Sequence, residues 1–311
     1  MIDLSIIIVS YNTKKLTVNC LGSIRRFVKR ISYEVIIVDN GSTDGSVEAL
    51  KDLRFKQSLA LRAKNYDLKI IANKENRGFA AANNQGIKIA QGRYILLLNS
   101  DTKLLENAFY EMVSWMDSNP RVGIATCQLI NPDGSVQATG GYFPTLDRLF
   151  LWATFLDDLP VVTEIVGSFH PHTPSFWTRS KFYIKERELD WVTGAFFLIR
   201  KEVAKDVGIL DEDFFMYVEE LEYCLRAKKK GWKVFFVPKS RVIHYGGASG
   251  TREGPILGEY RGLKILYSKH YPSLLVFLRF FLLLASFVRI LVFAIMNPRK
   301  ASLYVKTLGE V

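Results

Sequence analysis

Four short runs of aliphatic and β-branched residues alternate with segments of helical period in the first hundred residues, and this pattern constrains the fold more than any other feature. The runs predict strands at 4–9, 34–38, 68–72 and 94–98, with helices between them at 16–28, 46–53 and 78–90. Strands that are apolar on both faces and separated by helices pair in parallel and are covered on both sides. The sequence therefore predicts an α/β fold with an open, mostly parallel, doubly wound sheet.

The pattern becomes mixed after Asp101. Residues 141–190 contain four prolines, several aromatic residues and no sustained period, which predicts an irregular excursion within the domain. A helix at 212–230 is expected to begin near Asp211 and to end at Gly231, because acidic residues suit a helix amino terminus and glycine a carboxyl terminus. The other elements expected here are a helix at 104–117 and strands at 122–126, 191–199, 234–237 and 239–245.

Composition narrows the cellular location. The chain has 311 residues, of which 49% are hydrophobic, and this is enough for a full core. Its three cysteines form no CxxC pair, so we expect neither a disulfide framework nor a cysteine zinc site, and we expect a reducing, cytoplasmic location. The apolar run at 6–9 has no basic segment before it and is too short for a signal peptide. The sequence therefore predicts a protein that is not secreted.

Basic residues are concentrated at the carboxyl end. Residues 1–222 carry 26 basic and 28 acidic side chains, whereas residues 223–311 carry 16 and 3. Residues 273–296 are almost continuously apolar, interrupted by Arg279 and Arg289. Arginines are costly at the centre of a bilayer, so the sequence favours a helix in the membrane interface with both arginines toward lipid phosphates; a buried core helix is the alternative. Because the basic residues are interleaved with aliphatic runs, nucleic acid is not an expected partner.

Polar residues directly follow the predicted strands, at the edge where parallel sheets bind ligands. Asp39 ends the second strand and Asp101 follows the fourth. Either can be a helix cap, but each is also placed to bind a nucleobase or ribose, or to hold Mg²⁺ or Mn²⁺ beside a diphosphate. The sequence has no GxGxxG after its first strand and no P-loop motif, which argues against a dinucleotide oxidoreductase and a P-loop nucleotidase. A metal held by Asp101 would instead bind the phosphates.

Six segments stand out by their order and spacing. They are SIIIVSYN at 5–12, IIVDNGSTD at 36–44, NRGFAAANNQG at 76–86, LLLNSD at 96–101, WVTGA at 191–195 and FFMYVEE at 214–220. Together they resemble family 2 glycosyltransferases with the GT-A fold, in particular the rhamnosyltransferase-like branch. The resemblance covers roughly residues 4–250. It implies transfer of a sugar from a nucleotide-diphosphate donor, with inversion at the anomeric carbon.

The resemblance also implies roles for individual residues. Those placed at the donor are Tyr11, Asp39, Asn76, Gly78, Asn99, Asp101 and Arg252. Those placed at the acceptor are Trp191, Gly194 and Glu219. Asp101 matches the metal-binding member of a segment in which the family often has Asp-x-Asp, and its first position here is Asn99. His244 resembles a histidine that completes the metal or diphosphate site in some members, although a lone histidine is often structural. Arg252 lies in a glycine-rich segment that is either a lid or a plain loop.

The catalytic base is the largest departure from the family pattern. The family usually has Glu-Asp-x-Asp after the aromatic run, with the first Asp as base, whereas this chain has Glu219-Glu220-Leu221-Glu222. Glu220 occupies the position of the base. An inverting transfer needs one carboxylate that takes the acceptor's proton as the acceptor oxygen attacks C1. Glu219 and Glu222 are alternative bases. The alternative without a catalytic role is that the three glutamates form an exposed helical face.

The combined prediction is an inverting, metal-dependent glycosyltransferase that uses Mg²⁺ or Mn²⁺ and a donor such as dTDP-rhamnose or a UDP-sugar. We expect a nucleotide-sugar half at 1–101, an acceptor and catalytic half at 102–250, and a membrane-associating tail at 251–311. The tail and the resemblance favour a lipid-linked saccharide acceptor in cell-surface polysaccharide assembly, at the inner face of the cell membrane. The rival hypothesis is a catalytically weak scaffold protein that binds nucleotide sugars at the membrane.

Overall fold

The computed structural model describes residues 2–59, 66–171, 182–247 and 254–311. Its strands are β1 Leu4–Ser10, β2 Tyr33–Asp39, β3 Tyr66–Ala72, β4 Tyr94–Leu98, β5 Thr102–Leu104, β6 Val122–Ile130, β7 Gly140–Gly141, β8 Arg187–Leu189, β9 Trp191–Val192, β10 Phe196–Arg200 and β11 Lys233–His244. Its helices are α1 Lys14–Phe27, α2 Ser46–Leu59, α3 Phe79–Ile89, α4 Ala108–Ser118, α5 Leu146–Ala153, α6 Pro160–Val166, α7 Lys201–Val207, α8 Glu219–Lys229, α9 Gly254–His270, α10 Leu275–Met296 and α11 Pro298–Thr307. Short 3₁₀ turns lie at Leu156–Asp158, Pro272–Leu274 and Leu308–Glu310.

One mixed sheet brings several strand ends to a common edge. Its order is β3, β2, β1, β4, β10, β6, β11, β5, and β8 pairs with β11. Strand β1 is parallel to β2 and β4, and β2 is parallel to β3, so the residues that follow these strands lie at the same edge. Strand β10 is antiparallel to both of its neighbours, whereas β11 is parallel to β6. The predicted α/β fold with a mostly parallel sheet is confirmed.

Both faces of the sheet are covered, which explains the continuous aliphatic runs. Along β1, Leu4, Ile6 and Ile8 belong to one apolar cluster and Ile7 to another, and all four residues are completely buried. Helices α1 and α4 contribute to the first cluster, and α3, α7 and α8 contribute to the second. Full burial of such a side chain stabilises the fold by about 1.5–3 kcal/mol. The buried Ser5 of the same strand is accommodated because its hydroxyl donates to the Glu34 carboxylate at 2.6 Å.

The turn before α8 departs from the sequence-based prediction. The helix expected from residue 212 begins only at Glu219, because Tyr217 and Val218 both have a φ of +73°, which is incompatible with a right-handed helix. The acidic residues near Asp211 therefore lie in turns rather than in the first helical turn. A left-handed conformation is costly for a β-branched residue, and such strain is concentrated at functional sites.

Three other predicted boundaries also change. The strand expected at 191–199 is divided into β9 and β10 by residues 193–195. The strands expected at 234–237 and 239–245 form the single strand β11. The register of β11 with β6 shifts after Val237, because Pro238 has no N–H to donate to the neighbouring strand. The region expected to be irregular at 141–190 contains α5, α6 and β8.

The carboxyl-terminal helices pack on the α/β domain. Helices α9 and α10 share an apolar cluster with α5 and α8, in which Tyr260, Leu263, Leu278 and Leu282 are buried. The opposite side of α10 exposes large apolar side chains, among them Phe277, Phe280, Phe287 and Leu291. Residues Pro272–Met296 are long and apolar enough to cross a membrane by length and composition, and 28% of their most apolar window is buried against protein.

Arg289 lies on the packed side of α10, which corrects the expectation that it faces lipid phosphates. Its guanidinium donates hydrogen bonds to the carbonyls of Trp152 and Ala153 and lies 4.2 Å from the centroid of the Trp152 ring. Only 5% of the residue is exposed. Carbonyl acceptors and aromatic faces compensate the burial of a guanidinium, so its charge does not require a membrane surface. Arg279, in contrast, is exposed.

Candidate active site

Asp39 presents an unsatisfied carboxylate oxygen at the sheet edge. Its Oδ1 accepts a hydrogen bond from the Ser42 backbone amide at 2.9 Å, whereas its Oδ2 is buried and has no partner within the described residues. A buried oxygen without a partner is costly unless a ligand supplies one. Tyr11 follows β1 at the same edge and is half-buried. The next residue, Asn12, accepts from the Thr43 amide at 2.8 Å, which joins the ends of β1 and β2.

Asn76 and Gly78, both predicted to bind the donor, shape the edge through contacts within the chain. The Asn76 Oδ1 accepts hydrogen bonds from the Asn40 side chain at 2.8 Å and from the Gly78 amide at 3.0 Å. Gly78 has a φ of +83°, and a Cβ there would lie 2.5 Å from the carbonyl oxygen of Phe215. Only glycine fits this close approach. Through it, the loop after β3 contacts the segment that leads to the strained turn before α8.

Asp101, Asn99 and His244 meet where the segment between β4 and β5 reaches the end of β11, because β5 pairs with β11 and Thr102 is opposite His244. The His244 Nε2 lies 3.3 Å from Asp101 Oδ1 and 3.3 Å from Asn99 Nδ2. Backbone hydrogen bonds fix the group: the Tyr245 amide donates to the Asp101 carbonyl at 3.0 Å, and the Asn99 amide donates to the Ala195 carbonyl at 3.1 Å. Three residues that the sequence places at the donor or the metal are thus brought together.

Gln137 orients His244, although no sequence motif points to this residue. The Gln137 Nε2 donates to the His244 carbonyl at 2.7 Å, so its Oε1 is the acceptor that faces His244 Nδ1 at 2.9 Å. Nδ1 therefore carries the proton, and a neutral ring has its lone pair on Nε2, toward Asp101. Gln137 is separated from His244 by 107 positions, and no local motif connects the two residues.

The donor set of this group fits a divalent cation. The Asp101 carboxylate and the Nε2 lone pair of His244 point at one place, and they repel each other unless a proton or a cation lies beside them. Within the described ranges no group of three or more His, Cys, Asp or Glu residues is arranged so that it could hold a metal ion by itself. The remaining ligands would then be phosphate oxygens and water, which is typical of Mg²⁺ and Mn²⁺ sites that bind nucleotides.

Glu219 and Glu220 form an acidic pair at the start of α8. Glu219 is 3% exposed, Glu220 is half-buried, and the Oε2 atom of each has no hydrogen-bond partner within the described residues. Burial raises the pKa of both carboxyls, and the charge of Glu220 raises the pKa of Glu219 further. The Gly194 amide and the Glu219 carboxyl oppose the rise at Glu220. The pKa of Glu219 is therefore raised more strongly than that of Glu220, so Glu220 is the member that ionises more readily.

Glu222 differs from this pair because its carboxylate is bound by two side chains of the protein. Both of its carboxylate oxygens accept from Arg226 Nε, at 2.8 and 2.9 Å, and its Oε1 lies 3.0 Å from Nε2 of His270 on α9. Both oxygens of this carboxylate are thus engaged by contacts within the chain. Of the three glutamates, Glu222 therefore attaches α9 to α8, and the unpaired oxygens belong to Glu219 and Glu220.

Helix α9 fits closely around the strained turn that precedes the acidic pair. A Cβ at Gly258 would lie 2.2 Å from Cδ2 of Tyr217, and one at Gly262 would lie 2.6 Å from Cγ2 of Val218. These distances are shorter than any ordinary contact, so only glycine at both positions lets the helix approach. The segment predicted as a separate tail thus contacts the turn that orients Glu219 and Glu220.

The predicted acceptor residues Trp191 and Gly194 lie beside this pair. The Trp191 indole donates to the Tyr142 carbonyl at 3.2 Å, and its ring is half-buried. Gly194 is buried, and its amide interacts with Glu220. The Asn99–Ala195 hydrogen bond connects this segment to the Asp101 group. Arg252, also predicted to bind the donor, lies outside the described residues.

Known proteins match both the sequence and the fold. The model for glycosyl transferase family 2 matches residues 5–208. The N-acetylglucosaminyl-diphospho-decaprenol L-rhamnosyltransferase of Mycobacterium tuberculosis is 26% identical over 236 residues, which cover 70% of this chain and 68% of that protein.

Two solved structures show the same GT-A fold. GalNAc-T7 with UDP, GalNAc and Mn²⁺ has a TM-score of 0.60 at 18% identity, covering 88% of this chain and 50% of that one. The mannosyltransferase PcManGT from Pyrobaculum calidifontis with GDP-Man and Mn²⁺ has a TM-score of 0.56 at 15% identity, covering 98% and 75%. The chain thus spans about half the length of GalNAc-T7. Because the family model matches well over half of its length, the chain belongs to glycosyltransferase family 2, with a GT-A fold, and it is a glycosyltransferase.

Proposed function

We propose that the protein is an inverting, metal-dependent transferase that moves rhamnose from dTDP-rhamnose to a lipid-linked saccharide in cell-surface polysaccharide assembly. The observation that carries the proposal is the acidic pair: Glu219 and Glu220 each have a buried Oε2 without a partner among the described residues, and they lie across residues 194–195 from the Asp101 group. A single base suits a single displacement at C1. The mycobacterial relative, named as an N-acetylglucosaminyl-diphospho-decaprenol L-rhamnosyltransferase, supports the choice of the transferred sugar and of the acceptor.

At the donor, Asp39 would accept a hydrogen bond from the nucleoside through its unpartnered Oδ2, with Tyr11 beside it. Asp101 and His244 would hold Mg²⁺ or Mn²⁺, and Gln137 would keep the His244 lone pair directed at the metal. When bound, the cation neutralises the charge that develops on the departing diphosphate. Asn76 and Gly78 support this edge through the chain contacts described above.

At the acceptor, Glu220 would take the proton of the attacking hydroxyl as the oxygen bonds to C1. The bond from C1 to the diphosphate oxygen breaks, and its electron pair leaves with the nucleoside diphosphate. Burial raises the pKa of Glu220, which makes its carboxylate a stronger base than an exposed one. The Glu219 proton, donated to Glu220, keeps the second carboxyl neutral, so that two adjacent charges do not have to be buried together.

The exposed side of α10 supports peripheral attachment to the inner face of the membrane. Its large apolar residues lie opposite the side that packs on the domain. Arg279, Arg299 and Lys300 are exposed on α10 and α11, where cations can meet anionic headgroups. The helix would therefore lie along the surface, because its other side, including Arg289, is already occupied by protein. We place the division between the α/β part and the membrane-associating part after α9, whose residues contact the active-site turn.

The test is transfer of radiolabelled rhamnose from dTDP-rhamnose to N-acetylglucosaminyl diphosphate esterified to farnesol, with Mn²⁺, Mg²⁺ or EDTA. Product with inverted anomeric configuration in the presence of metal is the expected result. A thermal-shift screen of nucleotide sugars runs in parallel, because a ligand at a hundred times its Kd stabilises by about 2.7 kcal/mol. Stabilisation by a nucleotide sugar without any transfer or donor hydrolysis would favour the scaffold hypothesis. An increase in melting temperature only with UDP-sugars would indicate that the donor is a UDP-sugar and not dTDP-rhamnose.

A further inference from the structure

His170 and Glu259 form a charged pair that no part of the mechanism above uses. The Nε2 of His170 hydrogen-bonds to Oε1 of Glu259, which lies on α9. The side chains are 37% and 23% exposed, so both can reach a ligand. Burial lowers the pKa of His170, but the charge and the hydrogen bond of Glu259, together with the charge of Asp157, raise it above its ordinary value. Because Nε2 is engaged by Glu259, Nδ1 is the remaining donor of the protonated ring.

Trp191 lies against this pair and is also held in place. The rings of His170 and Trp191 meet edge to face at 5.7 Å, and Phe169 contacts both. Since the indole N–H is bonded to the Tyr142 carbonyl, a ligand can use only the face of the Trp191 ring. A ring face beside a donor and a carboxylate matches the chemistry of a pyranose, which has an apolar C–H face and a rim of hydroxyls.

The pair lies next to the catalytic carboxylates. Gly258, which precedes Glu259, is in contact with Tyr217, two residues before Glu219. Trp191 lies three residues before Gly194, whose amide interacts with Glu220. After burial, the negative charge of Glu259 is among the causes that raise the pKa of Glu220. The approach of Gly258 to Tyr217 and the nearness of Trp191 to Gly194 along the chain thus place Trp191, His170 and Glu259 near the base, on its acceptor side.

We propose that Trp191, His170 and Glu259 form the subsite for the acceptor's sugar ring, with the pyranose on Trp191 and its hydroxyls bonded to His170 and Glu259. The inference rests on the proposed function and extends it, because it assigns a recognition role to α9 and to the segment at residue 170. If a pyranose lacks a hydroxyl at the contact position, the polar atoms of His170 and Glu259 have no partner in the complex. The affinity for such an acceptor is therefore lower.

The test compares His170→Ala with His270→Ala. Both histidines pair with a glutamate across the contact between α9 and the domain, but Glu259 and His270 are about 16 Å apart along the helix. We expect His170→Ala to raise the KM for the farnesyl N-acetylglucosaminyl diphosphate at least tenfold and to leave the KM for dTDP-rhamnose within twofold. His270→Ala should change neither. Equal effects of the two variants, or an effect of His170→Ala on the donor KM, would assign the pair a structural role and overturn the inference.

Two further measurements keep the result interpretable. If His170→Ala does not fold by circular dichroism, His170→Gln and Glu259→Gln replace it, and they should raise the acceptor KM by a smaller factor. Binding of the acceptor probe to protein saturated with dTDP and Mn²⁺ is measured by calorimetry. Binding that is lost in the variants, with no transfer by the wild type, would contradict the proposed reaction and support the subsite. No binding by the wild type would overturn both.

The pH profile supplies a readout that packing alone does not change. The charged groups around His170 are Glu259 on α9, Asp157 near Ser168 and Arg289 on α10; the first two raise its pKa and Arg289 lowers it. The protonated ring is therefore present at low pH and is lost as the pH rises through its raised pKa. We expect the acceptor affinity to fall on the alkaline side. In Glu259→Gln this fall should move to lower pH, and an unchanged profile would contradict the subsite.

Discussion

The donor edge and the acceptor side of this site are built from different kinds of contact. Most residues of the proposed donor edge lie at the ends of β1, β2 and β4, which parallel pairing brings together. The acceptor side combines β9, the turn before α8, α9 and His170, whose contact with Glu259 spans 89 positions. Strand pairing follows from a repeating pattern, whereas the position of α9 follows from two glycines and one strained turn. The first kind of site can be predicted from the sequence, and the second requires the packing.

The largest expected effect separates the two glutamates of the acidic pair. Glu220→Gln keeps the shape of the side chain but cannot accept the acceptor proton, so kcat should fall by about 10²- to 10⁴-fold. Glu219→Gln keeps a donor toward Glu220, so kcat should stay within about tenfold. Steady-state kinetics with dTDP-rhamnose and the farnesyl acceptor measure both. If Glu219→Gln is the inactive variant, the roles are reversed; if neither loses activity, the base lies elsewhere.

The second effect tests the donor edge alone. Asp101→Ala should abolish metal-dependent donor binding while the protein stays folded, since the backbone of Asp101, and not its carboxylate, bonds to Tyr245. Gln137→Leu releases His244 and should weaken metal affinity by about 10- to 100-fold, the usual cost of losing a partner of a ligand. Calorimetric titration of dTDP-rhamnose with and without Mn²⁺ measures both. Undiminished metal-dependent affinity in Asp101→Ala would remove Asp101 from the site.

The contrast between Asp101 and Gln137 shows what the sequence can and cannot reveal. Asp101, Asn99 and Asp39 directly follow apolar strands, so their common edge follows from the fold class. His244 was predicted from resemblance, but its tautomer depends on Gln137, which comes to it through the packing of a turn against β11. Glu219 and Glu220 were visible as a motif, yet their unequal burial comes from the positive φ angles of Tyr217 and Val218, which the helical pattern at 212–230 concealed.

The third effect concerns the exposed side of α10. Replacing Phe277, Phe280, Phe287 and Leu291 with serine removes apolar surface that is 54–60% exposed and leaves the packed side intact. Truncation after Tyr271 is a poorer test, because it would uncover Tyr260 and Leu263. We expect the quadruple variant to stay in the supernatant when sedimented with anionic liposomes, while its thermal unfolding remains close to that of the wild type.

The control for α10 is Ile89→Ser with Ile184→Ser, two exposed apolar residues on other elements. This variant should sediment like the wild type. If the quadruple variant also sediments normally, the exposed side of α10 does not bind membranes and another surface must be responsible.

A smaller effect tests how α9 contributes to the acceptor side. Alanine at Gly262 would place its Cβ 2.6 Å from Val218, which overpacks the turn and should destabilise the protein by about 1–3 kcal/mol. Gly22→Ala is the matched control: it also lies in a helix, but nothing is within 4 Å of its Cβ, so it should stabilise by about 0.4–1 kcal/mol. Urea unfolding measures both, and kcat should fall only for Gly262→Ala. Equal stability of the two variants would show that the turn at Tyr217 and Val218 moves to accommodate the added methyl group, and that its close packing against α9 is not required.

The smallest effect is the pH dependence of stability that comes from Glu219. Its pKa is raised in the folded protein above the ordinary value of 4.5, so between these two values the folded state holds a proton that the unfolded state has released. The free energy of unfolding should therefore fall as the pH rises through this window, by at most about 1.4 kcal/mol per pH unit for one proton. Glu219→Gln removes that proton, so its stability should decline less between pH 5 and pH 8 (about the range accessible to urea titrations). The difference between the two curves reports the Glu219 carboxyl together with the change that its loss causes in the pKa of Glu220. A difference that grows in the opposite direction, with the wild type gaining stability at high pH, would mean that Glu219 is ionised in the folded state and that the proton of the pair resides on Glu220.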